Sequence, residues 1–355
     1  MSDNKPESQF PEPRKHSMIE NPQVTVGALR VVAALTVVSL LACHSTQESA
    51  APNDKAPHKV RSINVDTNVN LEVLDWGGSG RTLVLLAGLG DTAHVFDAFA
   101  TKLTSAHHVY GITRRGFGAS SAPVPANMNY SADRLGDDVL AVLDSLKLIR
   151  PVLVGHSIAG EELSSVGSRY PEKIAGLIYL EAGYSYAYYD RARGDGMIDS
   201  LEFRKKLEQL IPGAGPQDPQ EVVEDLLQML PQLGKALREW RKDLQAMPAP
   251  PTPVLPVLTP AQAILAGQQK YADIRVPALA IYAIPHDFGP AFSSPVKRAA
   301  AEARDLASFG AQAKAFERGM ANARVVRLPR ASHFVFISNE ADVLREMRGF
   351  LARLD

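Results

Sequence analysis

Val152-Leu153-Val154-Gly155-His156-Ser157-Ile158-Ala159-Gly160 is the stretch on which the reading of this chain turns. Three β-prone apolar residues run into a turn of small residues with a serine at its tip. Helix-compatible sequence, Glu161-Glu162-Leu163-Ser164-Ser165-Val166, follows at once. A buried strand that turns sharply into a helix sets the serine hydroxyl on a strained corner above the sheet edge. The free N–H groups and positive dipole end of the helix lie beneath it. So tight a corner needs small residues two before and two after the serine, and Gly155 and Ala159 meet that need. A Gly-x-Ser falling in such a turn by chance is the plain alternative, because motifs this short recur without function.

Working outward, apolar runs and helical patterns alternate. Upstream, Val60 to Val65 and Leu71 to Trp76 read as a strand pair at a sheet edge, joined through Asp66-Thr67-Asn68. Thr82 to Leu86 is nearly unbroken in its apolar character, as a strand buried on both faces should be, and it ends in Ala87-Gly88-Leu89-Gly90-Asp91. Val95 to Leu103 reads as a short helix and His108 to Ile112 as the next strand. Ser131 is placed to cap a helix over Ala132 to Leu146, whose Leu135, Val139, Val142, Leu143 and Leu146 share one face. Downstream, Ile174 to Leu180 is a buried strand ending at Glu181. Val276 to Tyr282 is another, followed by His286-Asp287. Val325 to Leu328 is the last, followed by Ser332-His333-Phe334 and a helix from Glu340 to Leu354. A long helix from Ser294 to Met320 precedes that strand. Between Glu181 and Val276 the composition turns helical. Helices are expected over Leu201 to Ile211, over Glu221 to Met247 with interruptions at Pro231 and Gly234, and over Ala261 to Tyr271. A Pro-rich joint runs from Pro248 to Pro256.

The Ser157 corner resembles the nucleophile elbow of the α/β-hydrolase superfamily, although Ala159 stands where the usual motif has a second glycine. The resemblance runs from about Lys59 to the C-terminus. Arg114-Arg115-Gly116-Phe117-Gly118-Ala119-Ser120 is similar to that family's Asp-x-Arg-Gly-x-Gly-x-Ser loop, with Thr113 replacing the aspartate; its role there is structural. The resemblance implies an α/β-hydrolase fold: a mostly parallel central sheet, flanking helices, and a helical cap, here residues 183–274, inserted between strands. It also implies a two-donor oxyanion hole after the third strand, where Ala87 replaces the usual histidine but the glycines remain. Leu89 N–H and Ile158 N–H are the expected donors, fixed in place to meet developing negative charge without reorganisation. Tyr184, Tyr186, Tyr188 and Tyr189 are expected to pack the cap hinge.

A serine hydroxyl needs a base, and the base needs an acid to hold one tautomer. Of nine histidines, only His333 lies in the loop between the last strand and the C-terminal helix. His156 is expected to point away from the serine, His94, His107 and His108 to be surface or packing residues, and His286 to shape the pocket. The order Ser157, Asp287, His333 matches the family's order of nucleophile, acid and base. Glu181, at the end of the strand before the cap, is the alternative acid. The spacing around Asp287 lacks the family's glycine and runs one residue long, so both stay open, with Asp287 preferred. Serine at the corner argues against epoxide hydrolase and haloalkane dehalogenase chemistry, which in this family uses a carboxylate there. The expected function is hydrolysis of a carboxylic ester or lactone through an acyl-enzyme. A carbon–carbon bond hydrolase or peptidase with the same triad is the alternative, and a non-catalytic binding lipoprotein a remoter one. No metal or organic cofactor is implied.

The 355 residues carry 45% hydrophobic and 22% charged side chains and a formal net charge of −1, ordinary for a globular protein. Nothing suggests a nucleic-acid partner. The chain has one cysteine, Cys43, so no intrachain disulfide forms. Arg30 precedes an apolar run from Val31 that ends in Leu40-Leu41-Ala42-Cys43, too short to span a bilayer comfortably and similar to the lipobox of bacterial lipoproteins. Residues 1–43 are therefore expected to be a signal segment with lipidation at Cys43, with Met18 the alternative start. Residues 44–58 read as a tether and 59–355 as the hydrolase domain. The expected location is exported and membrane-anchored, on the periplasmic side of the outer membrane. Oligomeric state is not legible.

Overall fold

The computed structural model describes residues 57–211, 218–246, 258–289 and 294–354. Eight strands form one sheet: β1 (Lys59–Asp66), β2 (Val69–Gly77), β3 (Arg81–Leu86), β4 (His107–Ile112), β5 (Val152–His156), β6 (Gly176–Leu180), β7 (Ala278–Ala283) and β8 (Ala323–Leu328). Their order is β1-β2-β4-β3-β5-β6-β7-β8. β1 and β2, and β2 and β4, pair antiparallel; every later pair is parallel. The helices are α1 (Asp97–Ala100), α2 (Ala132–Ser145), α3 (Gly160–Arg169), α4 (Gly196–Gln209), α5 (Pro219–Ala246), α6 (Pro260–Ala266), α7 (Pro295–Gly319), α8 (Val335–Ser338) and α9 (Glu340–Leu351). This is the α/β-hydrolase architecture that the resemblance implied.

Alternation along the strands builds a core on each face. On one side Val84, Leu86 and Leu153 pack with Val139, Val142 and Leu143 of α2, Leu163 and Val166 of α3, and Phe316 of α7. On the other, Leu83, Leu85, Val152 and Val154 pack with Phe96, Phe99 and the apolar stripe of α9, Val343, Met347 and Phe350. Parallel strands covered on both faces cannot alternate with polar residues, which is why β3, β5, β6 and β7 read as continuous apolar runs.

Three expectations change, one of them the helix over Ala261 to Tyr271, which ends at Ala266. The segment foreseen as a helix over Val95 to Leu103 is shorter, a 3-10 turn at Ala93–Phe96 running into α1. The helix expected to break at Pro231 and Gly234 runs unbroken through both. Pro231 is exposed, and Val222 and Leu226 anchor the buried side of α5. Loss of one backbone bond on the wet face is tolerated there. Helices α4, α5 and α6 all fall between β6 and β7; the Pro-rich joint from Pro248 to Pro256 lies outside the described residues, as does Cys43 with its whole leader. Among the described residues no helix is long and apolar enough to cross a membrane.

Candidate active site

β5 ends at His156 and Ser157 begins the next turn with φ 55°, a left-handed backbone that a non-glycine residue holds only under tertiary constraint. The constraint is visible in the small residues around it. A Cβ on Gly155 would sit 2.9 Å from Leu163 Cδ1 and 3.1 Å from Ala159 Cβ. A Cβ on Gly160 would run into the Ala182 carbonyl oxygen. Gly160, not foreseen as essential, thus lets α3 start flush against the end of β6. Ser157 itself is buried, and the Tyr186 hydroxyl faces its side chain.

The glycine turn after β3 presses on the same corner. A Cβ on Gly88 would lie 3.3 Å from Ser157 Cβ and 3.0 Å from His156 Nδ1. Arg114 pins the turn from behind. Its Nη2 donates to the Ala87 carbonyl at 2.9 Å and its Nη1 to the Gly88 carbonyl at 3.2 Å, while Glu162 in the first turn of α3 accepts from Nε at 2.6 Å. A buried ion pair with its remaining donors satisfied is the arrangement in which burying charge is tolerable. Arg115 is likewise clamped by Asp138 at 2.5 Å, and Thr113, in place of the family's aspartate, donates to Glu72 at 2.6 Å. The loop's arginines are structural. Leu89 and Ile158, the expected oxyanion donors, pack in one apolar cluster with Tyr130, Leu135, Phe117, Tyr186 and, from α6, Ile264. That cluster gives the corner an apolar surround.

Glu181 follows β6 and, like Ser157, has a left-handed backbone, φ 50°. Its carboxylate is fully buried and gathers four donors. Oε2 accepts from the Tyr184 hydroxyl at 2.5 Å, His286 Nε2 at 2.7 Å and His333 Nδ1 at 3.2 Å; Oε1 accepts from Ala283 N–H at 3.0 Å. Burial alone would push this carboxyl up, but the hydrogen bonds and charge of the two histidines outweigh it and hold it at about 2. With Nδ1–H given to Glu181, Nε2 is the ring nitrogen of His333 left to take a proton; the tautomer is assigned from this partner. Among the described residues no hydrogen bond joins Ser157 to His333. Such bonds often tighten only when substrate is bound.

The expectation that Asp287 partners His333 is therefore corrected: the structure brings Glu181 there. His286 forms a parallel bridge with Ala331, and Asp287 donates its N–H to the Ala331 carbonyl. Successive residues of an extended segment point opposite ways. His286 faces inward, so Asp287 is exposed, its Oδ1 accepting from Gly289 N–H at 2.9 Å.

The other histidine expectations also sharpen. His156 does not stand clear: its ring packs on His333, Phe334 and Phe336 at 4.7, 4.8 and 5.2 Å. Its Nε2 donates to the His333 carbonyl at 3.1 Å, and burial pushes its basicity down to about 3, so it stays neutral and fixes the His333 loop. His286 is more than a pocket wall. Its Nδ1 faces the Asp305 carboxylate of α7 at 3.0 Å, and burial, which opposes charge, is outweighed by Asp305 and Glu181, lifting it to about 10. Asp305, Tyr184 and Tyr186 were not placed at the site by sequence, and His286 was placed there only as a pocket residue. The one available signal was Glu181 itself, a carboxylate ending a strand buried on both faces and therefore requiring partners.

Among the described residues, two groups of three carry metal-ligand atoms close together. Glu181, His286 and His333 are already joined by ring N–H donors onto one oxygen, and a cation there would have to displace those protons. His58 and His94 converge on Asp97, at 2.8 and 3.4 Å, with His94 also facing Glu72 at 3.4 Å. The His58 ring also packs edge-on against Trp76 at 5.7 Å and His94 at 5.0 Å.

The sequence matches the alpha/beta hydrolase family over residues 83–346, about three-quarters of the chain, and the chain belongs to that family. It is similar to a fluoroacetate dehalogenase of a Burkholderia species, 30% identical over 127 residues, 35% of this chain and 41% of that protein. It is also similar to an epoxide hydrolase of Caballeronia sordidicola, 26% identical over 161 residues, 44% of this chain and 47% of that protein. These matches span less than half of either relative. Among solved structures, a thermophilic esterase from Thermogutta terrifontis superposes with a TM-score of 0.51 at 19% identity, covering 83% of this chain and 99% of that one. That likeness is one of fold.

Proposed function

We propose that this protein is a serine hydrolase that cleaves a carboxylic ester or lactone, with Ser157 as nucleophile, His333 as base and then acid, and Glu181 as the orienting carboxylate. The observation that carries the reading is the strained corner at Ser157, whose neighbour His156 packs on His333, a histidine with its Nδ1–H held by a buried carboxylate. In the first step Ser157 Oγ bonds to the substrate carbonyl carbon as its proton passes to His333 Nε2. The oxyanion sits between Leu89 N–H and Ile158 N–H. Collapse breaks the C–O bond, and the leaving alkoxide departs with the proton from His333. Water then attacks the acyl-enzyme by the same route, returning the proton to Ser157. The apolar residues around the corner, Ile158, Leu135 and Ile264 among them, support a substrate with an apolar acyl group. Relatives named as dehalogenase and epoxide hydrolase share the family, but this chain offers a hydroxyl, not a carboxylate, at the corner.

A fluorophosphonate probe should label the wild type and fail to label Ser157→Ala, and a panel of esters, lactones and amides should show turnover abolished with it. Labelling that survives the substitution removes the assignment. The proposal extends to an exported protein anchored through lipidated Cys43, supported by Arg30, the short apolar run and the terminal Ala42-Cys43.

A further inference from the structure

The charged chain behind His333 does not stop at Glu181. Asp305 on α7, His286 after β7, Glu181 after β6 and His333 after β8 form a continuous series of buried or half-buried contacts at 3.0, 2.7 and 3.2 Å. His286 is held twice by Asp305, whose Oδ2 also accepts the His286 backbone N–H at 2.8 Å, so ring and backbone share one anchor. The facing ring of Phe309 packs edge-on against the imidazole at 5.2 Å, and Tyr184 closes the Glu181 side. An ordinary orienting acid needs only its own histidine; here a second imidazole takes the same carboxylate oxygen at the shorter distance.

We propose that His286 is a positioning residue that locks the Glu181 carboxylate onto His333 and that its positive charge, balanced by Asp305, sets the pH range over which His333 works as a base. The proposal rests on the serine-hydrolase reading. The Glu181 oxygen and the facing nitrogens of His286 and His333 lie within 4.8 Å of one another. At that range and an effective dielectric of about 20, a unit charge moves a neighbour's proton uptake by roughly two to three pH units. The signs follow from counting charges. With His286 protonated and both carboxylates ionised, the chain carries one negative charge, which falls to zero when His333 accepts the Ser157 proton. Removing the His286 charge makes the surroundings more negative and eases protonation of His333. Removing the Asp305 charge does the reverse. The other groups against this chain do not supply the effect: His156 is neutral, and the Tyr184, Tyr186 and Tyr282 hydroxyls are pushed well up by burial. That His286 is lifted to about 10 agrees with the geometry.

The test is the kcat/KM–pH profile of the full chain on an ester that the wild type hydrolyses. In His286→Gln the acid limb should move up by about two to three pH units, and in the more distant Asp305→Asn down by about one, with Asp287→Asn superposing on wild type. A limb that stays put in either of the first two, that moves the same way in both, or that moves in the reversed sense overturns the proposal. A purely structural role would lower the rate at every pH and leave the limb in place. If either variant fails to fold, ¹⁵N-histidine spectra of the wild type decide. One imidazole keeping its protonated shifts to about pH 9 supports the proposal; His286 titrating near pH 6.5 overturns it. Failure of the serine-hydrolase reading looks different: no fluorophosphonate labelling of the wild type and no ester turned over.

Discussion

Replacing Glu181 with glutamine removes one charge and reverses one half of an acceptor, and both consequences can be sized. The three donors on Oε2 and the one on Oε1 all need oxygen. A glutamine that keeps its oxygen towards Tyr184, His286 and His333 turns its NH₂ against Ala283 N–H. The flipped amide sets NH₂ against three donors. In either pose a buried donor loses its acceptor and His286 loses its nearer counter-charge. Breaking one side of a buried ion pair costs about 3–5 kcal/mol, which for a chain of this size lowers Tm by roughly 6–10 °C. Activity should fall further than stability. The imidazole is no longer held with its proton on Nδ1, and loss of that tautomer lowers kcat by on the order of 10⁴. Asp287→Asn is the control. Its Oδ1 accepts one exposed backbone N–H, which an amide oxygen accepts equally well, so stability should stay within about 0.5 kcal/mol and kcat within about twofold. Initial rates on one ester, measured well below each Tm from calorimetry, separate the two effects. A Glu181→Gln enzyme that retains more than about a tenth of wild-type kcat, or an Asp287→Asn enzyme that loses it, would return the role to Asp287 and refute this assignment.

Gly160→Ala should give insoluble or strongly destabilised protein, because the new Cβ meets the Ala182 carbonyl oxygen at the junction of the Ser157 corner and the Glu181 strand end. Gly310→Ala on α7, with nothing near its added methyl, should be neutral or stabilise by up to about 1 kcal/mol; equal thermal melts for the two variants would contradict the packing argument. Cys43→Ser should move the protein out of the membrane fraction and remove a lipid-sized increment from its mass; an unchanged fraction and no such increment in the wild type would end the lipoprotein proposal.

How much of this was legible follows from what each residue had to satisfy. The central parallel strands were readable because burial on both faces leaves few polar positions in them, so Leu83 to Leu86, Val152 to Val154 and Leu177 to Leu180 announce themselves. The Ser131 cap was readable because its hydroxyl has a local task, accepting Arg134 N–H three residues on. Pro231 misled for the opposite reason: a local rule about helix breaking gave way to the packing of Val222 and Leu226 on the buried face of α5.

The candidate acid lay between these cases. β6 and β7 are neighbours in the sheet, so residues just beyond either strand arrive at the same place, and chain order admits both Glu181 and Asp287. What separates them is a register of one residue after β7. With His286 bridged to Ala331, the inward position is taken by an imidazole and Asp287 turns to solvent; a shift of one would exchange them. Sequence spacing does not resolve a single residue in an irregular loop. A partner requirement does. Glu181 ends a strand with no exposed position, and a carboxylate buried there has to collect donors or a counter-charge. Read that way, the histidine beside the rejected aspartate is the more informative member of the pair, because an inward His286 supplies both the donor and the charge that Glu181 needs, and it needs Asp305 in turn. The chain of buried charges is thus one solution to one problem: keeping a carboxylate ionised at the bottom of an apolar strand end, where His333 can use it.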